Sequence, residues 1–186
     1  NSENLFIQCL SPAIIKKGSE KEMKLIEEWD EIFRTLNNVK RLKINIFNQE
    51  ILNSLHKIPN LTELIIENSS IEDISPLIKL EKLSRLEIYY NSKLTNIETL
   101  KDLKLKQLKF ENCFNIVNYE IIGKIRSLKG LSLNGNWTAP KNLRINSLIP
   151  FEGLENLQHL DLNYSIVVDK SFESILQMTS LKRFDY

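Results

Sequence analysis

Few residues in this chain could carry acid–base, nucleophilic or metal chemistry. The sequence of 186 residues holds two histidines and two cysteines. His56 and His159 lie far apart in the chain, and neither has a cysteine or carboxylate beside it at metal-ligand spacing. The sequence also lacks a glycine-rich phosphate loop and a G-x-S-x-G nucleophile motif. It therefore predicts no enzyme, no cofactor and no metal site.

Charge and apolar content argue against further classes of protein. The net charge of +1 provides no overall field that would attract nucleic acid or a membrane surface. No apolar run approaches the ~20 residues of a membrane-spanning helix, so the expected location is cytoplasmic, secreted or surface-bound, and not integral to a membrane. Cys9 and Cys113 do not suggest a disulfide framework, and we expect Cys113 to be a buried structural thiol. Because the chain begins at Asn1, we expect a fragment or a processed form whose signal peptide, if any, is already gone.

Many of the carboxylates and tyrosines fall within a repeated frame. In the segment 61–83, Leu61, Leu64 and Ile66 give the spacing Leu-x-x-Leu-x-Leu, and the alternation around Leu64 is typical of a strand buried on one side. The frame recurs as Val39-Leu42-Ile44, Leu61-Leu64-Ile66, Leu83-Leu86-Ile88, Leu105-Leu108-Phe110, Leu128-Leu131-Leu133, Leu157-Leu160-Leu162 and Leu181-Phe184-Tyr186. Its first positions are 22, 22, 22, 23, 29 and 24 residues apart. Units this short cannot bury their apolar sides alone, so the copies must stack.

The frame resembles that of the leucine-rich repeat family, and the resemblance covers about residues 39–186. The return 71–77 is similar to that of the short subclass with 22-residue repeats, found in bacterial internalins and in a regulatory subunit of protein phosphatase 1. The resemblance implies an α/β solenoid, curved into an arc, with a parallel β-sheet on its concave face. Short helices and turns are expected on its convex face, over 50–58, 119–125 and 171–178 among others, with a tighter return at 71–80.

The family's ladder of asparagine side chains is expected to be incomplete here. In the family, an Asn follows the first Leu of each frame by eight residues, and only Asn91 and Asn136 match. The other full repeats have Phe47, Ser69, Cys113 and Ser165 at that place.

The N-terminal part of the chain is predicted to close the open end of the solenoid. Residues 1–38 are expected to form a strand and a capping helix, and residues 39–186 about six full repeats and a terminal strand, in a single domain. Ser19 and Glu22 have the spacing of a capping box. The following helix, 20–36, has one apolar stripe, formed by Met23, Ile26, Trp29, Ile32, Phe33 and Leu36. A docking helix for a partner is the alternative.

The step of 29 residues is the outlier in length and inserts about six residues between 134 and 157. Gly135, Pro140, Pro150 and Gly153 predict that this segment is a loop. Trp137 either fills the extra space as a packing residue or belongs to a binding loop. The candidate residues of that loop are Trp137, Lys141 and Arg144.

The candidate binding surface is the concave face. Strand alternation points positions 3, 5 and 7 of each frame to that face, and position 8 lies at its rim. The candidate residues are Tyr89, Tyr90, Glu67, Glu87, Glu111, Lys109, Asn134, His159, Asp161 and Tyr164. Glu87 and Lys109 are expected to be close enough to pair. We predict Tyr89 as the contact residue, its neighbouring carboxylates favouring a partner with Lys or Arg, unless the ring merely covers the sheet.

These features predict a non-catalytic protein–protein interaction module that binds an unidentified protein partner through its concave face. Basic residues form no stripe, so nucleic acid is disfavoured. Two alternatives stay open: the recognition or targeting part of a larger secreted effector or adhesin, and a carbohydrate-binding surface that uses the same tyrosines. The final frame ends at Tyr186 with an open strand, which predicts either a missing C-terminal segment or self-association through that edge.

Overall fold

Short parallel strands alternate with helical returns along the whole chain. The computed structural model describes residues 2–8, 18–138 and 142–186, so Cys9, Pro140 and Lys141 lie outside the described residues. The elements in chain order are β1 (Asn4–Gln8), α1 (Glu20–Thr35), β2 (Arg41–Asn45), α2 (Gln49–Ser54), β3 (Glu63–Glu67), β4 (Arg85–Tyr89), β5 (Gln107–Glu111), β6 (Gly130–Asn134), β7 (Leu143–Ile145), β8 (His159–Asp161), β9 (Ser165–Val167), α3 (Glu173–Gln177) and β10 (Arg183–Asp185). Short 3₁₀ helices cover Leu55–Lys57, Ser75–Lys79, Glu98–Asp102, Glu120–Lys124 and Ile149–Phe151.

Eight of these strands form one sheet in the order β1-β2-β3-β4-β5-β6-β8-β10, with every neighbouring pair parallel. The register keeps the frame aligned, so that Leu42 lies beside Leu64, Leu64 beside Leu86, and Leu86 beside Leu108. Each repeat therefore adds one strand and one return. This arrangement confirms the predicted solenoid, and β1 extends it by one strand before the first full frame.

The core lies between the sheet and the returns. Leu64 and Ile66 are fully buried on the inner side of β3, and Ile71, Ile74 and Leu77 of the following return are fully buried against them. The same pattern recurs in the neighbouring repeats, where the inward side chains form one continuous cluster. Stacking thus buries the apolar side of each short unit, as the sequence predicts.

The residue at position 8 of the frame adopts a left-handed backbone conformation in five repeats. The φ angles are 54° at Ile46, 49° at Asn68, 53° at Tyr90, 55° at Asn112 and 58° at Tyr164. This conformation costs residues other than Gly or Asn about 1 kcal/mol. The backbone N–H of Tyr90 donates to the carbonyl of Glu111 on the next strand, and Asn68 and Asn112 make the equivalent bonds. The turn therefore ends each strand and points the side chain at position 8 towards the rim.

The side-chain ladder is incomplete, as expected. Of the two asparagines that match the ladder position in sequence, only Asn91 takes part in it. Asn91 is fully buried, donates to Ser69 Oγ at 3.1 Å and accepts from the backbone N–H of Leu94 at 3.0 Å. The buried thiol of Cys113 donates to the carbonyl of Ile88, and burial raises the pKa of this thiol to about 12. Asn136 lies at the surface instead and donates to the Tyr90 hydroxyl, because the insertion redirects the chain after Gly135.

Helix α1 packs on the first return through apolar and polar contacts. Phe33 is fully buried, and its ring lies 5.6 Å from that of Trp29. Asn48 donates to Glu22 at 3.0 Å, and Lys57 pairs with Asp30. Ser19 caps the helix by accepting from the N–H of Glu22, as predicted, whereas the Glu22 carboxylate accepts from Gly18 rather than Ser19.

The predicted apolar stripe of α1 is wrong in two places. Met23 and Ile32 are exposed, and Leu25 is half-buried instead. The polar contacts of Glu22 and Asp30 with the first return fix the rotation of the helix, and that rotation turns Met23 and Ile32 outward.

The insertion is more ordered than a loop. Its segment β7 pairs in parallel with β9 in a separate two-stranded sheet, and Ile149–Phe151 forms a 3₁₀ helix. Leu143 and Ile145 are buried because the alternation Leu143-Arg144-Ile145 places its two apolar residues on one side. Phe151 on the 3₁₀ helix is buried as well. Trp137 does not fill space in this layer, since 79% of its surface is exposed. The packing interpretation of Trp137 is therefore wrong.

The C-terminal repeat has partly exposed inward residues. Phe184 packs 6.1 Å from Phe172, and Tyr186 packs 4.8 Å from the same ring while remaining 60% exposed. Among the described residues, no strand pairs with the far edge of β10. Association through this edge stays a prediction.

Candidate functional site

The concave face consists of the outward side chains of β2–β6, β8 and β10, and its charges are largely paired within the chain. Arg41 and Glu63 lie 2.6 Å apart on neighbouring strands, Lys43 and Glu67 lie 2.9 Å apart, and Lys109 and Glu111 lie 3.0 Å apart. Glu87 and Lys109 are neighbours in register, as predicted, but each pairs with another residue. Glu87 accepts instead from the guanidinium of Arg85, at 2.5 Å, and Lys109 turns towards Glu111 on its own strand.

Tyr89 lies at the centre of this face and is held by two neighbours. Its hydroxyl donates to Glu87 Oε2 at 2.6 Å, and the ammonium of Lys109 lies 5.0 Å from the centre of its ring. Glu87 itself is only 8% exposed. Burial raises the pKa of Tyr89, and the hydrogen bond to Glu87 raises it further. Tyr89 is therefore a half-buried, fixed part of the surface rather than a freely exposed ring.

A shallow notch of about 180 Å³ interrupts the face at β6. It exists because Gly130 and Ser132 place small residues at two outward positions of one strand, between Lys109 on β5 and Asp161 on β8. The Gln107 side chain lies over Gly130, where a Cβ atom would come within 2.1 Å of its Oε1. Two small residues in a single frame are the sequence signal that would have identified this notch.

Asp161 borders the notch and is stabilised as an anion by neutral donors. It accepts from Asn134 at 2.8 Å, from Ser132 at 3.1 Å, and from the side chain of Asn163 at 2.7 Å. Burial alone would raise the pKa of Asp161, but these hydrogen bonds and one from the Asn163 N–H outweigh it and hold the pKa below its usual value. Within the described residues it has no ion-pair partner.

The two histidines do not meet. His159 shares a contact of 2.9 Å with Asp185 on the neighbouring strand, where Arg183 also lies 2.8 Å from the carboxylate. The hydrogen bond from His159, and to a smaller extent that from Arg183, holds the pKa of Asp185 below its usual value. His56 contacts the Asn53 carbonyl on the first return. Within residues 2–8, 18–138 and 142–186, no group of three or more His, Cys, Asp or Glu side chains is placed to hold a metal ion.

A second depression lies where the strands end, at the rim of the concave face. It has a volume of about 350 Å³ and is lined by Glu111, Asn134, Gly135, Asn136, Trp137, Asn163 and Tyr164. We call it the strand-end depression. Tyr90 adjoins it, since its hydroxyl accepts from Asn136 at 3.3 Å and donates to Glu111 at 3.4 Å. Tyr90 is 47% exposed and Tyr164 is 59% exposed.

The predicted site residues thus fall into three places. Glu67, Glu87, Tyr89, Lys109 and Glu111 form one patch of the concave face, with Asp161 and His159 beyond the notch. Asn134, Tyr90, Tyr164 and Trp137 lie at the strand-end depression. Arg144 is exposed on β7, in the small separate sheet and not in a loop with Trp137. Sequence reasoning missed Asn136 and Asn163 as neighbours of the rim tyrosines.

Comparison with known proteins gives one curated relative and several solved structures. A protein of Trypanosoma equiperdum named "Putative adenylate cyclase regulatory protein" is 29% identical, over 72% of this chain and 25% of its own length. An internalin (inlF) of Listeria monocytogenes has a TM-score of 0.57 at 22% identity, over 82% of this chain and 49% of that one. Internalin C2 of the same organism has a TM-score of 0.52 at 18% identity, over 83% of this chain and 76% of that one. No protein-family model matches the sequence.

Repeat frame, strand order and these likenesses agree: the chain has the leucine-rich repeat fold. A Toll-like receptor 13 structure, solved with single-stranded RNA, shares the fold at a TM-score of 0.51 and 16% identity, over 86% of this chain and 30% of that one. The chain spans about a quarter of the curated relative's length and about half of the inlF structure. In the part of the chain that is described, no helix is both long and apolar enough to cross a bilayer.

Proposed function

We propose that this chain is a non-catalytic module that binds a protein partner through its concave face. The observation that carries this proposal is the fixed arrangement around Tyr89, where a half-buried ring is held between Glu87 and Lys109 on a rigid parallel sheet. Side chains that are already ordered lose little conformational entropy on binding. Tyr and Arg are also among the residues that most often dominate interface energies, and Arg85 and Tyr89 donate to the same carboxylate, that of Glu87.

The pairing of charges changes the partner that fits. If the carboxylates were free, they would favour a partner rich in Lys or Arg. Because Glu67, Glu87 and Glu111 are already paired with basic residues, a partner with alternating charges fits better than one of a single sign. An RNA ligand would require a stripe of basic residues, and the paired charges of this face do not provide one.

The fold comparisons support a recognition role. The curated relative carries a regulatory name, and the solved neighbours with the same fold include two internalins. A role as the recognition or targeting part of a larger secreted effector or adhesin would use this same face. The sequence of the complete gene would distinguish that role from a free-standing module.

The test exchanges the charges of one concave ion pair. In a Lys43→Glu, Glu67→Lys double variant the pair can still form, but the pattern that a partner meets is reversed. The matched control is Glu98→Lys, Lys101→Glu, which reverses a pair of 3.4 Å on a 3₁₀ helix of the returns. Immobilised full chain is used to capture proteins from a lysate of its source cells, and the retained proteins are compared between the variants.

The expected result is a protein retained by the wild type and by the Glu98–Lys101 exchange, and lost from the Lys43–Glu67 exchange. Binding to a purified copy of that protein should then weaken by about tenfold or more in the concave exchange alone. A partner that tolerates the concave exchange, or one that is lost equally from both variants, would contradict binding through this face.

A further inference from the structure

The strand-end depression has a chemical character different from that of the ion-paired concave face. Its rim carries three exposed aromatic side chains, Tyr90, Trp137 and Tyr164, with Trp137 the most exposed of the three. Exposed rings grouped at one depression offer flat apolar platforms for a ligand. Its volume falls within the range of about 300–1,000 Å³ that is typical of small-molecule sites.

The polar lining of the depression has more acceptors than donors. Asn134 donates its amide N–H to Asp161, while its own Oδ1 is buried and has no hydrogen-bond partner among the described residues. Asn163 likewise donates to Asp161, and no described residue donates to its Oδ1. The Asn134 oxygen lies below the surface, whereas the Asn163 amide is only half-buried, so a ligand that brings O–H or N–H groups can donate to Asn163 Oδ1.

The depression also offers little net charge to an ionic ligand. Its one carboxylate, Glu111, is paired with Lys109 at 3.0 Å and accepts from the Tyr90 hydroxyl. The remaining polar lining consists of the neutral amides Asn134, Asn136 and Asn163. A ligand that fits must therefore be uncharged, rich in hydroxyl donors, and flat enough on one side to lie against an aromatic ring.

We propose that the strand-end depression binds a neutral saccharide. A sugar ring has a C–H face that packs on Trp137 or Tyr164, and hydroxyl groups that can donate to Asn163 Oδ1. A peptide fits less well, because side chains in a peptide complex need apolar pockets and the floor of this depression is made of amides. The site shares Glu111 with the patch around Tyr89 but does not depend on partner binding there.

The two tryptophans of the chain make a direct test possible. Trp29 packs on Phe33 in α1, so Trp29→Phe keeps an aromatic ring there and leaves Trp137 as the only tryptophan. Full chain is first applied to a glycan array. The saccharide with the strongest signal, and cellobiose and N,N′-diacetylchitobiose in any case, are then titrated into the Trp29→Phe variant while the emission of Trp137 is recorded.

The expected result is a saturable blue shift of the Trp137 emission, because a stacked sugar excludes water from the exposed ring. Tyr164→Ala in the same background should weaken the apparent affinity by about tenfold, through loss of one ring face. Tyr186→Ala is the matched control, since Tyr186 is as exposed as Tyr164 but follows β10, away from the depression. It should leave the apparent affinity for the saccharide unchanged. Both variants are checked for an unchanged melting temperature.

The proposal fails if no array glycan binds and neither disaccharide shifts the emission. It fails also if a shift is unaffected by Tyr164→Ala, or if only a proline-rich peptide, titrated in parallel, produces one. The Lys43–Glu67 exchange leaves the depression intact, so saccharide binding that survives in that variant while partner capture is lost would separate the two sites.

Discussion

The hydroxyl of Tyr89 donates a hydrogen bond of 2.6 Å to Glu87, a carboxylate that is almost fully buried on the concave face. The same carboxylate accepts from Arg85 through its other oxygen. A buried carboxylate needs both partners, because each lost hydrogen bond leaves part of its charge without solvation. The contact is therefore structural as well as part of the proposed binding surface.

Tyr89→Phe should lower the free energy of unfolding by about 1 kcal/mol, since it removes one hydrogen bond to a charged group on a half-buried side chain. Urea unfolding at neutral pH measures the change. Tyr90→Phe is the control: its hydroxyl lies 3.4 Å from Glu111 on an exposed side chain, and its loss should be within about 0.5 kcal/mol of neutral. Equal effects of the two substitutions would contradict a special role for the Tyr89–Glu87 bond.

Asp161→Asn should destabilise the chain by about 1–2 kcal/mol at pH 7, because the new amide group faces the donors of Asn134 and Asn163. The pKa of Asp161 is lowered in the folded chain, so its stabilising contribution is present above the unfolded pKa and is lost as the pH falls through the folded pKa. The difference between variant and wild type should therefore shrink towards acid. A difference that stays constant from pH 7 to pH 3 would refute this account; Asp102→Asn, at an exposed residue on a return, serves as control.

Gly123→Ala should lower stability by about 1–3 kcal/mol or more. A Cβ atom at Gly123 would lie 1.9 Å from the carbonyl oxygen of Pro150, which is backbone and cannot rotate away. Gly153→Ala is a matched control in the same region, because its nearest neighbour would be 3.7 Å away. Thermal melting of both variants compares them, and an unshifted melting temperature for Gly123→Ala would show that the two repeats separate easily.

Cys113 should make the chain lose stability at alkaline pH. Burial raises the pKa of its thiol from 9.0 to about 12, so the folded state keeps a proton that the unfolded state releases between these values. The contribution is complete below pH 9 and declines as the pH rises to about 12, by at most about 1.4 kcal/mol per pH unit. Urea unfolding at pH 8 and pH 10.5 should show a smaller decline for Cys113→Ala than for wild type. Parallel curves would contradict the shift.

Deletion of residues 1–38 should produce a chain that aggregates or loses cooperative melting. Helix α1 covers the first return through buried Phe33 and the contacts of Glu22 and Asp30, and its removal exposes that side of the core. Size-exclusion chromatography and thermal melting measure the outcome. Phe33→Ala should cost about 3–5 kcal/mol in the intact chain and gives a second measure of the same contact. A soluble truncated chain as stable as the wild type would disprove the capping role.

The fold was predictable because each frame repeats the same local rule. Leu64 and Ile66 alternate with Glu63, Ile65 and Glu67, and their counterparts recur at steps of 22 to 29 residues, so the strand register follows from the spacing of the frame. The segment β7 escaped prediction because three residues, Leu143-Arg144-Ile145, are too few to reveal a strand between turn residues. It forms because β9 offers a parallel partner, which lies in the next repeat.

The site was less predictable than the fold for a different reason. Spacing correctly placed Tyr89, Glu87 and Lys109 on one face, but it could not determine which acid pairs with which base. That choice depends on side-chain rotamers: Lys109 reaches Glu111, and Arg85 occupies Glu87. The position of Asn136 was mispredicted because a sequence match at the ladder position takes no account of the turn that follows Gly135.

The turn at position 8 has a consequence for how such a chain can change in evolution. The backbone N–H of Asn68 donates to the carbonyl of Tyr89 on the strand of the next repeat. The N–H of Tyr90 donates in the same way to the carbonyl of Glu111, one repeat further. Each unit thus completes its neighbour with the same bonds. Gene duplication or deletion of one whole unit would leave the same backbone bonds between neighbouring units. The concave face can therefore gain or lose a row of three side chains in a single genetic event, which offers a new recognition surface without a new fold.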